Sequence, residues 1–148
     1  MSRHAIAAIL YGVVLALLMV FSFDYFFATT LQPHHAAALN LDPMLPPGEW
    51  AVFRGLYRSI ASGQFVLAAV LLAVLFVPFR RREPWARTVL SLGSASYAGL
   101  VLFTLLQFRA ATGITPSAVY AAALALLLVG AAHILGSERR ADVSAGHP

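Results

Sequence analysis

The chain has 148 residues, of which 60% are hydrophobic and only 11% are charged, and its mean hydropathy is +0.79. Soluble domains carry roughly 25% charged residues, so this composition excludes a soluble domain and predicts an integral membrane protein. There is no cysteine, which excludes disulfides, thiolate nucleophiles and iron–sulfur clusters. The formal charge of +4 comes from arginines whose distribution fits membrane topology, so nucleic-acid binding is not expected.

The first predicted helix covers residues 5–27, AIAAILYGVVLALLMVFSFDYFF. At 1.5 Å rise per residue it can cross a hydrocarbon core of roughly 30 Å. A signal peptide is the alternative, but the apolar run exceeds the 7 to 15 residues of a signal core. No small-x-small cleavage site follows either, because Phe26 stands three residues before a cut after Ala28. We therefore predict an uncleaved transmembrane helix.

Residues 28–53 are predicted to form one long outer loop, because four prolines interrupt them. Proline removes a backbone donor and restricts the residue before it, so a spanning helix is not expected here. The piece 34–41 could form a short interfacial helix, with Trp50 and Phe53 as anchors at headgroup level.

Three further transmembrane helices are predicted, over residues 56–79, 85–108 and 116–135. The last has a clear start, with Thr115 as N-cap and Pro116 in the first turn. Gly136 and Ser137 are expected to end it, and residues 137–148 are predicted to be a short disordered tail. The sequence thus predicts an all-α membrane protein, a single domain of four transmembrane helices.

The distribution of arginine predicts the orientation. Seven of the ten arginines lie at the N-terminus, in the turn at 80–87 and in the C-terminal tail, and three lie on the other side. Since cytoplasmic connections carry the excess of basic residues, both termini are predicted to be cytoplasmic. Arginine without lysine, together with the alanine content, is typical of a GC-rich bacterial genome, so a bacterial inner membrane is the expected location.

Polar side chains enter the second predicted helix in the stretch FRGLYRSIASGQF, residues 53–65. At 100° per residue, Arg54, Arg58, Tyr57 and Gln64 share one broad face of this helix. Arginines near the end of a span can snorkel to the interface, but Gln64 lies about 15 Å along the helix from Arg54 and cannot do so. This face therefore predicts a polar cluster inside the outer half of the bundle.

The topology brings other polar groups to the same depth, and Asp24 is predicted to pair with Arg58 or Arg54. The cluster could be a structural clamp between helices, or a pocket for an anionic or carbonyl-bearing ligand such as a lipid headgroup or quinone. Plain snorkelling is the third possibility. The candidate ligand-binding or clamp residues are Asp24, Arg54, Tyr57, Arg58, Gln64, Gln107 and Arg109.

The histidines are weaker candidates. His34 and His35 precede two carboxylates in the loop and could hold zinc or copper, but their spacing matches no ligand motif, so a solvated loop is preferred. His4 and His133 stand near helix ends, whereas haem ligands of membrane cytochromes usually lie deeper. No metal or cofactor is predicted.

Four segments resemble small four-helix bacterial membrane proteins of the DoxX-like kind and related domains of unknown function. They are LDP (41–43), FRGLYRSIASG (53–63), REPWAR (82–87) and FRAATGITP (108–116). The resemblance implies a four-helix fold and a membrane location. It implies no established chemistry, so no functional residue is transferred from it.

Several functions remain open from the sequence. The preferred role is non-enzymatic, either an accessory or structural subunit or a module that binds a lipid-like ligand. The expected partners are membrane lipids. Under either role, other membrane subunits or a second copy of the chain could also bind. The alternatives are a lipid- or quinone-handling enzyme or redox accessory that uses the polar cluster, and a small transporter. No catalytic residue is predicted, because nucleophilic triads, phosphate loops and carboxylate relays are not evident.

Overall fold

The computed structural model describes residues 1–137 and shows an all-α bundle. Four of its helices are long and apolar enough to cross a membrane, which confirms the predicted fold class of a multi-pass membrane protein. The described helices are α1 (Arg3–Phe26), α2 (Pro33–Leu39), α3 (Pro47–Val74, continued by a π-helical turn at Leu75–Phe79), α4 (Pro84–Thr112) and α5 (Ala118–Gly136). The part of the predicted disordered tail that follows Ser137 lies outside the described residues.

Helix α3 begins at Pro47, nine residues before the predicted start at 56. The prolines that were expected to exclude a helix instead start one, because the first helical position needs no backbone donor. Pro46 is the N-cap, and its carbonyl accepts a hydrogen bond from Trp50 N–H at 2.9 Å. The predicted loop 28–53 is therefore shorter, and the short helix expected near 34–41 is present as α2.

The boundary between α4 and α5 also differs from the prediction. Helix α4 continues to Thr112 and ends at Gly113, whose φ of 73° is left-handed and favours glycine. Helix α5 begins at Ala118 with Ser117 as its cap, rather than at the proline two residues earlier with a threonine cap. Its end at Gly136 and Ser137 is as predicted.

We name the two ends of the bundle by what lies there. The termini side holds the start of α1, the turn at 80–83 and the end of α5. The loop side holds the connection 27–46 and the turn 113–117. Helix α1 packs against both α3 and α5, and α4 packs along α5, while α3 and α4 contact each other less.

Helices α3 and α4 approach closely where Leu71 meets Gly93. A Cβ atom on Gly93 would lie 2.9 Å from the Leu71 Cδ2 atom, so the absence of a side chain permits this crossing. From this point towards the loop side, the space between the two helices belongs to a cavity.

The termini side is filled by large side chains and a chain of hydroxyl contacts. Tyr11 is fully buried, and its ring packs edge-on against Phe79 with 5.5 Å between centroids. Its hydroxyl lies 2.6 Å from Ser91 Oγ, which lies 2.7 Å from His133 Nδ1. Because these residues belong to α1, α4 and α5, the two side-chain hydrogen bonds connect three helices at this end.

Candidate functional site

An elongated cavity of about 450 Å³ occupies the loop-side half of the bundle, among α1, α3, α4 and α5. On α4 its lining runs from Ser94 to Phe108, which is 14 residues or about 21 Å at 1.5 Å per residue. Aliphatic and aromatic side chains form most of its wall. A cavity of this size and composition is typical of a small-molecule site.

The space exists because α5 presents small side chains to it. Its contribution to the wall consists only of alanines, namely Ala118, Ala121, Ala122 and Ala125. Helix α5 packs against both α4 and α1. Larger side chains at these four positions would fill the space between the helices, so the alanines leave it open.

Exposed residues on α3 and α4 indicate a sideways opening of the cavity between these helices. Ile60 on α3 and Leu100 and Thr104 on α4 line the cavity and are exposed, and the two helices contact each other little. In a spanning helix bundle such an opening faces lipid tails. The cavity is therefore accessible to a molecule that diffuses within the membrane.

Helix α2 covers the loop-side end, and Tyr57 holds it there. The Tyr57 hydroxyl accepts a hydrogen bond from Gln32 N–H at 3.2 Å and contacts His35 Nδ1. The side chain of Gln32 donates to the Asp24 carboxylate at 3.0 Å. Buried Leu31 packs beside Tyr57 in the same small apolar cluster. Helix α2 and its N-cap Gln32, called the lid below, are thus bonded to both α1 and α3.

Tyr57 contacts both the backbone and the side chains of the segment that carries α2. Its hydroxyl oxygen accepts from Gln32 N–H, and in the contact with His35 Nδ1 either atom can be the donor, depending on the imidazole tautomer. Burial, and secondarily the neighbouring His34, lowers the pKa of His35 to about 4. Burial also lowers the pKa of His34, against the opposing effect of Asp24. Both rings line the cavity as neutral groups.

Gln64 reaches the cavity from α3 and is anchored to α1. The Ser22 hydroxyl shares its proton between the Leu18 carbonyl at 2.7 Å and Gln64 Oε1 at 3.1 Å. The Gln64 amide nitrogen has no partner among residues 1–137. It therefore presents two N–H donors to the cavity.

Ser94 is the most unusual polar group in the wall. Its residue is only 4% exposed, and its hydroxyl has no hydrogen-bond partner in the described part of the chain. The hydroxyls of Thr104 and Thr112 on the same helix instead bond the carbonyls four residues earlier, at 2.9 and 2.8 Å. An unsatisfied buried hydroxyl costs about 1–3 kcal/mol, so Ser94 lowers stability unless something else bonds it.

The structure separates the polar cluster predicted from the sequence. Tyr57 and Gln64 face the interior, whereas Arg54 and Arg58 are exposed on another side of α3. The predicted ion pair with Asp24 is not formed, because the Arg58 guanidinium lies 5.6 Å from the Phe26 ring centroid and the carboxylate accepts from the lid. The part of the α3 surface that faces α1 is therefore narrower than the face predicted from the helical wheel.

Two further predicted residues also lie outside the cavity. Gln107 and Arg109 are exposed near the loop-side end of α4 and do not line the wall. No charged side chain contributes to the described lining. Of the predicted cluster, Gln64 alone lines the cavity, and Tyr57 acts through the lid.

The histidines take different places from those expected. His34 and His35 were expected in a solvated loop, but they are partly buried against Phe108, with ring centroids 5.9 and 6.2 Å from it. Within residues 1–137, no group of three or more His, Cys, Asp or Glu side chains converges as metal ligands would. His4 stacks on an aromatic ring on the termini side at 4.4 Å, and His133 bonds a serine there.

Sequence reasoning missed three groups in the wall, namely Ser94, Tyr97 and Tyr25. A polar residue deep in a predicted span was the available signal for Ser94. No family model matches this chain, and neither the curated proteins nor the solved structures give a match. The geometry of the cavity therefore carries the functional argument.

Proposed function

We propose that this chain is a non-enzymatic module of a bacterial inner membrane that binds a lipid-like molecule in the loop-side cavity. The lateral opening between α3 and α4 is the observation that carries the proposal, because it connects an apolar cavity with the surrounding lipid. The excess of arginine on the termini side supports an orientation with both termini in the cytoplasm. The cavity then lies in the outer half of the membrane.

The volume and wall of the cavity suit a lipid-like ligand. The volume of about 450 Å³ lies in the range of small-molecule sites, and most of the wall is apolar. Such a wall favours a molecule with hydrocarbon groups over a strongly polar soluble substrate.

Filling the cavity tests the proposal. Ala121→Phe places a ring where α5 lines the cavity, and Ala131→Phe makes the same change on the exposed side of the same helix. After extraction in a mild detergent, mass spectrometry of the purified proteins reports the bound lipid. We expect about one lipid per chain in the wild type and Ala131→Phe, and a loss of tenfold or more in Ala121→Phe.

Equal lipid content in all three proteins would contradict the proposal. Melting temperatures of the two variants within a few degrees of the wild type would show that the difference comes from the occupied space and not from unfolding. A lipid class that is retained by the wild type and absent from Ala121→Phe also identifies the ligand for later binding measurements.

A further inference from the structure

The unused hydrogen-bonding groups of the cavity are mainly donors. The Ser94 hydroxyl oxygen is buried and has no partner, although the Leu90 carbonyl stands four residues earlier, where a serine can bond it. Because Ser94 lines the cavity, rotation about its Cα–Cβ bond turns the hydroxyl towards a bound ligand. Gln64 uses its oxygen to accept from Ser22 and keeps its amide N–H groups free. Tyr97 lines the cavity, and its hydroxyl has no bond within the described residues. All three groups can donate, and the Gln64 amide nitrogen can only donate, so a ligand with hydrogen-bond acceptors can satisfy all of them.

These groups lie at similar depth in the bundle. Ser94 stands 10 residues from the start of α4, about 15 Å, and Gln64 stands 15 residues from Phe79 at the end of α3, about 22 Å. Tyr97 lies one turn above Ser94 on α4. Since α3 ends and α4 starts on the termini side, these distances place the three groups about 15–22 Å from that side, in the middle of the bundle and not at its rim.

The same region offers nothing to a charged headgroup. Arg54, Arg58 and Arg109 are all exposed outside the cavity, and burial lowers the pKa of His34 and of His35, which keeps both neutral near pH 7. A phosphate or carboxylate at the depth of Ser94 would lose its water without gaining a counter-charge, which is strongly unfavourable. The wall therefore disfavours an anionic head at this depth.

Resting on the proposed function, we infer that the ligand is an uncharged lipid whose head carries carbonyl-type acceptors, bound with that head inside the cavity. The head lies among Ser94, Tyr97 and Gln64, and the hydrocarbon chain leaves through the opening between α3 and α4. Two sources supply this chemistry, a quinone ring with an isoprenoid chain and a neutral acylglycerol with ester carbonyls. Both are uncharged, and both accept hydrogen bonds without needing a cation.

Binding of three probes to the detergent-purified, delipidated protein tests this inference. The probes are decylubiquinone, dioleoylglycerol and dioleoyl phosphatidylglycerol, each followed by the shift in melting temperature and by native mass spectrometry. We expect saturable binding of decylubiquinone or dioleoylglycerol at one per chain, and the stronger of the two identifies the source. Phosphatidylglycerol should bind at least tenfold more weakly.

Ser94→Ala measures the contribution of the buried hydroxyl, and Ser96→Ala is the matched control because it lies exposed on the same helix. We expect Ser94→Ala to weaken binding of the preferred probe about fivefold to tenfold, as for one lost hydrogen bond. The ligand-free variant should melt at the same temperature as the wild type or higher, because no unsatisfied hydroxyl remains. A purely structural serine would show the opposite, with reduced stability and unchanged affinity.

Gln64→Met and Ser22→Ala separate the two roles of the amide. Both remove the bond between α1 and α3, but only Gln64→Met removes the N–H donors that face the cavity. Weaker binding in Gln64→Met alone supports direct contact with the ligand, and equal weakening in both contradicts it.

The outcomes also distinguish this inference from the proposed function. If phosphatidylglycerol binds best and Ala121→Phe abolishes that binding, the cavity is a lipid site and the uncharged head is wrong. If no probe binds and Ala121→Phe retains as much native lipid as the wild type, the proposed function is wrong as well.

Discussion

The two ends of the bundle use the same four helices in opposite ways. On the termini side, Tyr11, Ser91 and His133 bond one another, and large side chains fill the space between helices. On the loop side, alanines on α5 leave a cavity, and Ser94 lies buried in its wall without a partner. Two atoms on the termini side, His4 Nε2 and Arg87 Nε, are nevertheless buried without a partner among residues 1–137. The two ends therefore differ mainly in packing, because on the loop side the unpartnered residue Ser94 stands in the wall of a cavity.

The connections explain why the helices diverge at one end. A short turn at 80–83 joins α3 to α4 on the termini side, and Leu71 packs onto Gly93 close to it. On the loop side, α3 is joined to α1 by the long connection 27–46, and α4 is joined to α5 by the turn 113–117. No short connection ties α3 to α4 there, so these two helices can separate and admit a ligand between them.

The largest effect is expected from the same truncation at the two ends of α4. Leu90 is fully buried on the termini side, whereas Leu105 lines the cavity. Leu90→Ala should lower the free energy of unfolding by about 2–5 kcal/mol, because its close contacts are lost and an enclosed void remains. Leu105→Ala should cost less than about 1 kcal/mol in the ligand-free protein, since the side chain already borders empty space. Denaturant unfolding in detergent micelles measures both. Equal losses would show that the two ends are packed alike.

The sequence predicted the spans well, since helix length and apolar content depend on the local chain. It predicted the cavity poorly, because a cavity depends on how neighbouring helices pack. Gln64 was found from its depth, but Arg58 was placed on the same face although it points outwards. Arg58 and Tyr57 point in directions only 100° apart around the helix, and the local sequence does not show which of the two directions faces α1. The sequence shows Ser94 only as a polar residue deep in a predicted span, because its lack of a partner depends on how the helices pack.

A smaller effect is expected at the lid. Tyr57→Phe removes the hydroxyl that bonds Gln32 and His35, while the ring still packs beside Leu31. Loss of these bonds should cost about 1–2 kcal/mol of local stability, so amide hydrogen exchange of α2 should be about fivefold to thirtyfold faster. Amides on the termini side should exchange as before.

Tyr120→Phe is the matched control for the lid, because its hydroxyl lies on an exposed residue of α5 and has no bond within the described residues. It should leave exchange of α2 unchanged. If Tyr57→Phe behaves in the same way, the hydroxyl does not fasten the lid.

The last effect is expected from pH, and it is absent near neutrality. Because burial holds the pKa of His35 at about 4, below its ordinary value of 6.5, the undocked lid binds more protons between these values. Docking should be at full strength above about pH 6.5 and should weaken as the pH falls towards 4. The lowered pKa of His34 acts in the same direction, with Asp24 on α1 opposing it.

Fluorescence of Trp50 can follow this change, since its ring centroid lies 6.0 Å from that of Tyr57. A Trp85→Phe background removes the other tryptophan. We expect a reversible transition between pH 6.5 and 4 that His35→Gln reduces. A transition of the same size in His35→Gln would assign it to other groups.

Photo-crosslinking with a diazirine-bearing lipid tests most directly whether the open end of the bundle is a binding site. Peptide mapping compares Tyr97 and Ala121, which line the cavity, with Leu127, which is exposed on the outside of α5. We predict that excess unlabelled lipid suppresses adducts at Tyr97 and Ala121 and leaves those at Leu127 unchanged, because only the cavity is saturable. Adducts that respond equally to competition at all three residues would contradict a lipid site in the cavity.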